Sequence, residues 1–134
     1  MAKLEEVEGI GPKYAEKLRN AGVKSTSDLL KKGGTPAGRK QIEKDSKITG
    51  KLILEWVNHV DLFRVKGVGE EYADLLEAAG VDTVVELSKR KPENLYKALA
   101  ETNEKKKLVR QMPGEGKVKE WIEEAKKLPR AITY

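Results

Sequence analysis

Apolar residues fall three and four positions apart in short runs, and no run alternates with period two beside hairpin-turn residues. This spacing predicts helices. Tyr14, Ala15 and Leu18 follow Pro12, which suits a first helical position because its missing N–H is not needed there. Gly22 then supplies a C-terminal stop. Tyr72, Ala73, Leu75, Leu76 and Gly80 repeat the pattern. Ser25 with Asp28, and Thr83 with Glu86, read as capping boxes, the second with the expected Glu. Thr35-Pro36 reads as a cap and first turn. Ile48-Thr49 precedes a helix through Leu52, Ile53, Trp56 and Val57, and Pro113 precedes one through Val118, Trp121, Ile122 and Ala125. The expected fold is all-α. Helices of roughly 6 to 12 residues do not persist alone in water, so tertiary packing must hold them.

The chain also matches itself at an offset of 58 residues. Val7-Glu8-Gly9-Ile10-Gly11 lies over Val65-Lys66-Gly67-Val68-Gly69, Leu4 over Leu62, and Ala21-Gly22-Val23 over Ala79-Gly80-Val81. Pro36 then corresponds to Pro92 at an offset of 56, and Trp56 to Trp121 at 65, so the second copy carries extra residues, placed at Asn103 to Met112. This predicts two related units, 1–60 and 61–134, each with about five short helices and packed as one compact unit.

Composition narrows the chemistry. With 134 residues, 38% of them hydrophobic and 37% charged, the chain has the length of one ordinary soluble domain with a thin core. It has no Cys, which excludes disulfides, thiolate metal sites and Cys nucleophiles. One His argues against a His-ligated zinc site, so no metal and no cofactor are expected. Aromatics at 5% disfavour a base-stacking platform. No apolar run approaches the roughly 18 residues of a membrane span. Acids at Glu5 and Glu6 stand where a signal peptide needs an apolar stretch, so a cytoplasmic protein without membrane contact is expected.

Charge is unevenly spread. Between Gly9 and Lys51 there are eleven basic residues against four acidic ones, a surplus of seven. From Gly67 to Leu87 there are six acids and no base. Both stretches open on the same element, apolar-x-Gly-apolar-Gly running straight into a helix with Ala at its fourth position. Two glycines one residue apart permit backbone angles that other residues resist. The residue between them, Ile10 or Val68, can point inward and anchor the loop. Main-chain N–H groups are left facing solvent at a helix N-terminus, where unpaired donors and the helix dipole both favour an anion.

Val7-x-Gly9-Ile10-Gly11-x-x-x-Ala15-x-x-Leu18 and Val65-x-Gly67-Val68-Gly69-x-x-x-Ala73-x-x-Leu76 resemble two helix-hairpin-helix motifs. With Ala21-Gly22-Val23 and Ser25 to Leu30, each copy is similar to the small N-terminal helix-hairpin-helix domain of archaeal recombinases. Nearly the whole chain resembles an uncharacterised bacterial family of tandem helix-hairpin-helix proteins, through Glu55-Trp56-Val57-Asn58-His59, Asp61-Leu62-Phe63-Arg64, Pro92-Glu93-Asn94-Leu95 and Trp121-Ile122. The resemblance implies hairpin amides that contact duplex phosphates without reading sequence, and in some relatives hairpin carbonyls that bind a monovalent cation. By position, the phosphate contacts would be the amides around Gly9, Ile10 and Gly11, with Lys13 in the adjoining turn and Lys17 one turn on. The second hairpin, Gly67, Val68 and Gly69, departs from the pattern. Glu70 and Glu71 occupy its first helical turn, where carboxylates satisfy the helix dipole and repel phosphate. A structural role, or contact with a basic protein surface, is expected there.

Other residues read more plainly. Trp56 and Trp121 occupy matching places among apolar neighbours and read as core anchors, with Tyr14 and Tyr72 as packing residues. His59-Val60-Asp61 is similar to a base-excision glycosylase signature, but in those enzymes the Asp follows the hairpin, whereas Asp61 precedes the second one. The acid pairs Glu5-Glu6, Glu70-Glu71 and Glu123-Glu124 are adjacent, so on a helix they diverge and form no two-carboxylate site. The expected function is a non-enzymatic module that contacts the backbone of duplex DNA without sequence preference. The alternative is a protein-interaction adaptor or self-associating scaffold, with its two oppositely charged units engaging different surfaces. A lyase using a Lys amine is the remaining class, and no acid–base constellation accompanies it.

Overall fold

The computed structural model describes residues 3–134. Eight α-helices and one 3-10 turn make up its regular structure, with no strand among the described residues, so the protein is all-α. Contacts divide the chain into two units. One holds the residues up to Asp61 together with Ala131–Tyr134, and the other is Leu62–Arg130. Among the described residues no helix is long and apolar enough to cross a membrane.

The first unit runs through the 3-10 turn Leu4–Glu6, α1 (Pro12–Asn20), α2 (Thr26–Gly33), α3 (Pro36–Ser46) and α4 (Gly50–Leu62), whose last residue already belongs to the second unit. Pro12 and Pro36 open their helices at the first turn. Ser25 Oγ accepts the Asp28 N–H at 3.2 Å, and Thr35 Oγ1 accepts the Gly38 N–H at 3.0 Å. Past the end of α1, Gly22 takes φ +91°. The Val23 N–H then reaches the Leu18 carbonyl at 2.8 Å and the Gly22 N–H that of Arg19 at 3.0 Å, a Schellman ending. The Lys32 ammonium donates to the Gly22 carbonyl from α2. Leu4, Val7, Ile10, Leu18, Ile53 and Trp56 form part of the buried core.

Three glycines within the basic stretch are there for packing. A Cβ on Gly33 would come within 2.7 Å of Val57 Cγ2, one on Gly34 within 2.6 Å of the Ala131 carbonyl oxygen, and one on Gly38 within 1.8 Å of the Lys32 carbonyl oxygen. They let α2 and α3 meet, and they make room for the chain's last residues. Arg39, only 9% exposed, fixes that tail. Its guanidinium donates to the carbonyls of Gly33 at 2.9 Å and Thr133 at 2.7 Å, and lies 5.9 Å from the Tyr134 ring centre. The Thr133 N–H donates to Gly34 at 2.7 Å, and Ile132 is buried.

The second unit contains α5 (Glu70–Ala78), α6 (Val84–Ser88), α7 (Pro92–Lys106) and α8 (Glu115–Lys127). α5 packs on α7, and α6 and α7 pack on α8. Its local geometry repeats the first. Gly80 takes φ +95°, with Val81 N–H to Leu76 at 2.8 Å and Gly80 N–H to Glu77 at 3.0 Å. Thr83 Oγ1 accepts the Glu86 N–H at 3.2 Å, while the Glu86 carboxylate turns to Arg90 at 3.0 Å. Arg90 donates to the Gly80 carbonyl at 3.2 Å, as Lys32 does to Gly22.

This unit has four helices rather than about five. Leu62, the counterpart of Leu4, ends α4 instead of starting a separate 3-10 turn. The extra residues divide between two places. α7 has 15 residues where α3 has 11, and the connection to α8 is longer than that between α3 and α4. Both α3 and α7 end on a lysine in the left-handed region, Lys47 at φ 60° and Lys107 at φ 49°.

Candidate functional site

The first glycine loop joins the 3-10 turn to α1. Gly9 has φ +91°, and Ile10 is 4% exposed, pointing into the core as its apolar character requires. The Ile10 N–H donates to the Val7 carbonyl at 3.0 Å. Of the three amides expected to meet a phosphate, that of Ile10 is therefore spent inside the loop, because the tight turn that buries its side chain also closes on its N–H. The first α1 amide with a main-chain acceptor is that of Ala15, to Gly11 at 2.9 Å. Among the described residues the amides of Gly9, Gly11, Lys13 and Tyr14 have no acceptor. Tyr14 is thus a donor that the sequence reading omitted, although its place in the first turn of a Pro-started helix signals it.

Gly11 differs from Gly9. Its φ of −86° is open to any residue, and a Cβ there would meet nothing within 4 Å. The space in front of the α1 N-terminus is open. Lys13 and Lys17 are exposed beside it, and no acid lies in the first turn. The Lys17 ammonium sits 5.9 Å from the Tyr14 ring centre, and Tyr14 meets Trp56 edge-on at 5.1 Å. Arg19 is committed elsewhere, to Glu5 at 2.7 Å, and that guanidinium holds the Glu5 carboxyl below its ordinary range.

The second loop has the same backbone. Gly67 takes φ +89°, Val68 is 4% exposed with its N–H on the Val65 carbonyl at 3.0 Å, and Gly69 caps α5 with nothing within 4 Å of a Cβ position. Its side chains differ. Glu70 and Glu71 are exposed in the first turn of α5. Lys117 of α8 lies against Gly67, its Cε 3.3 Å from where a Cβ would stand. The sequence reading missed this cation, since its counterpart 65 residues earlier is Leu52.

Within the basic stretch that ends at Lys51, the part from Lys31 onward is not one uniform patch. Lys31, Lys40, Lys44, Lys47 and Lys51 are exposed, whereas Lys32 caps Gly22 and Arg39 is buried among carbonyls. Trp56 and Trp121 are buried, and so are His59 and Asp61, each 2% exposed, so the latter two line no open cleft.

No curated protein and no solved structure matches the chain. The family model described as a domain of unknown function, DUF4332, matches residues 8–128, a span that takes in both glycine loops and all eight helices. The chain belongs to that family.

Proposed function

We propose that the chain is a non-enzymatic module of two helix-hairpin-helix repeats, and that its first loop binds the phosphate backbone of duplex DNA without sequence preference. The carrying observation is Gly11, which neither its backbone angle nor any neighbour requires to be glycine. A glycine there keeps the approach to the Gly11, Lys13 and Tyr14 amides clear. Those donors, the helix dipole and the exposed Lys13 and Lys17 all favour the same guest, an oxyanion. Contacts of this kind go to phosphate, so they position the module without reading bases.

The test is fluorescence anisotropy with a labelled duplex at low salt, comparing wild type with Lys13→Glu. Binding that weakens in the variant and falls steeply with salt supports the reading. Equal binding by both proteins removes the first loop as the contact. A second reading rests on the opposite charge of two loops with one backbone. The acidic second loop then engages a basic protein surface, and the protein acts as an adaptor or self-associating scaffold. Salt-sensitive oligomers in light scattering, with no response to DNA, favour that alternative.

A further inference from the structure

The second unit's extra residues form a built, outward-facing basic surface. In the first unit three residues, Lys47 to Thr49, connect α3 to α4. In the second, α7 continues for one more turn and a longer loop follows, and its apolar positions are pinned. Val109 is 7% exposed, and Leu108 and Met112 pack on the core. The Asn103 side chain grips Val109 at both main-chain groups, accepting its N–H at 3.0 Å and donating to its carbonyl at 3.3 Å. The Tyr72 hydroxyl donates to the Gln111 carbonyl at 3.2 Å. Between these anchors Lys105, Lys106, Lys107 and Arg110 are all exposed. None of the four is in an ion pair among the described residues.

We infer that this surface is a second contact for the backbone of duplex nucleic acid, separate from the first loop. Ordering a loop costs conformational entropy, and a connection between these helices needs far fewer residues, as the first unit shows. Lys105, Lys106 and the cap residue Lys107 complement the dipole at the end of α7, but Arg110 lies three residues past the cap, where that explanation does not reach. A membrane surface suits the patch poorly, because Tyr134 is the one large hydrophobic exposed among the described residues and the loop turns its apolar side chains inward. A protein interface would want an apolar or aromatic centre, which the four cations do not supply. Exposed cations with no acceptor of their own, carried on a backbone pinned at Val109 and Gln111, suit a regular array of phosphates.

The inference shares its partner with the proposed function but not its site, and one experiment separates them. Duplex affinity is measured against salt for wild type, for Lys105→Gln/Lys106→Gln/Arg110→Gln, and for Lys13→Gln/Lys17→Gln. The triple variant is expected to bind more weakly, with a log–log salt slope shallower by about 2 to 3. A triple variant identical to wild type overturns the inference while leaving the first-loop reading intact. A weakened triple variant beside an unchanged double variant supports the inference and removes the first loop. No binding by wild type overturns both. Circular dichroism confirms that each variant is folded, and protection of Lys105 and Lys106 from acetylation by the duplex is the independent sign of contact.

Discussion

Gly9 stands directly over Trp56, with a Cβ position only 3.1 Å from the indole Nε1, and Gly67 stands over Trp121 in the same way at 3.3 Å. Each loop is thus clamped between a positive φ and a buried ring. Gly11 and Gly69, two residues on, have neither constraint.

Gly9→Ala should therefore destabilise the first unit by about 1–2 kcal/mol, from the left-handed backbone alone, with the Trp56 contact adding to it. Gly11→Ala should leave stability nearly unchanged. Urea unfolding followed by tryptophan fluorescence checks both, and equal losses at the two positions would contradict the geometry. In binding, the order should reverse only if the amides of the α1 N-terminus are used. A bulkier Gly11→Val then weakens duplex affinity while the protein stays folded.

Arg39 and the tail form one network, so their losses should overlap. Arg39→Met removes charged hydrogen bonds to Gly33 and Thr133, at about 1.5–3 kcal/mol each. Ending the chain at Arg130 removes the Thr133 acceptor and the buried Ile132. The combined variant should lose less than the two single losses added together. Strict additivity in chemical denaturation would show that Arg39 and the tail act independently.

The Glu5–Arg19 pair sets a small acid dependence. The guanidinium hydrogen bond lowers the Glu5 pKa from its ordinary 4.5. Its stabilisation is therefore fully present above 4.5 and is lost as pH falls through the lower folded value. An NMR titration should give Glu5 a midpoint below 4.5, and Arg19→Gln should move it back up. The effect on stability is small because the pair is exposed.

The two loops also offer a charge-swap experiment. Glu70→Lys with Glu71→Lys gives α5 a first turn without acids, on a backbone matching that of α1. Duplex affinity should rise and its salt dependence steepen by about 1 to 2 in slope. No gain would mean that loop charge does not govern the contact. The same change costs some α5 stability, since carboxylates at a helix start are worth about 0.3–1 kcal/mol each.

Much of this fold is legible locally. Pro12, Pro36 and Pro92 open helices, Ser25, Thr35 and Thr83 cap them, and Gly22 and Gly80 close them, because these roles depend on neighbours within a few residues. The turn that consumes the Ile10 amide follows from burying Ile10, but it is visible only once the loop is folded. Arg39 reads as one cation in a basic run, and its burial depends on a residue 94 positions away. Gly33, Gly34 and Gly38 look like loop punctuation, yet the reason for them lies in Val57, Ala131 and the Lys32 carbonyl. Contacts of that range leave no periodic mark in the sequence.

The tail gives the molecule an unusual order of assembly. Ile132 and Thr133 leave the ribosome after α1 to α8, yet they complete the unit that was synthesised before Leu62. Vectorial folding can finish the Leu62–Arg130 unit before it finishes the one that precedes it.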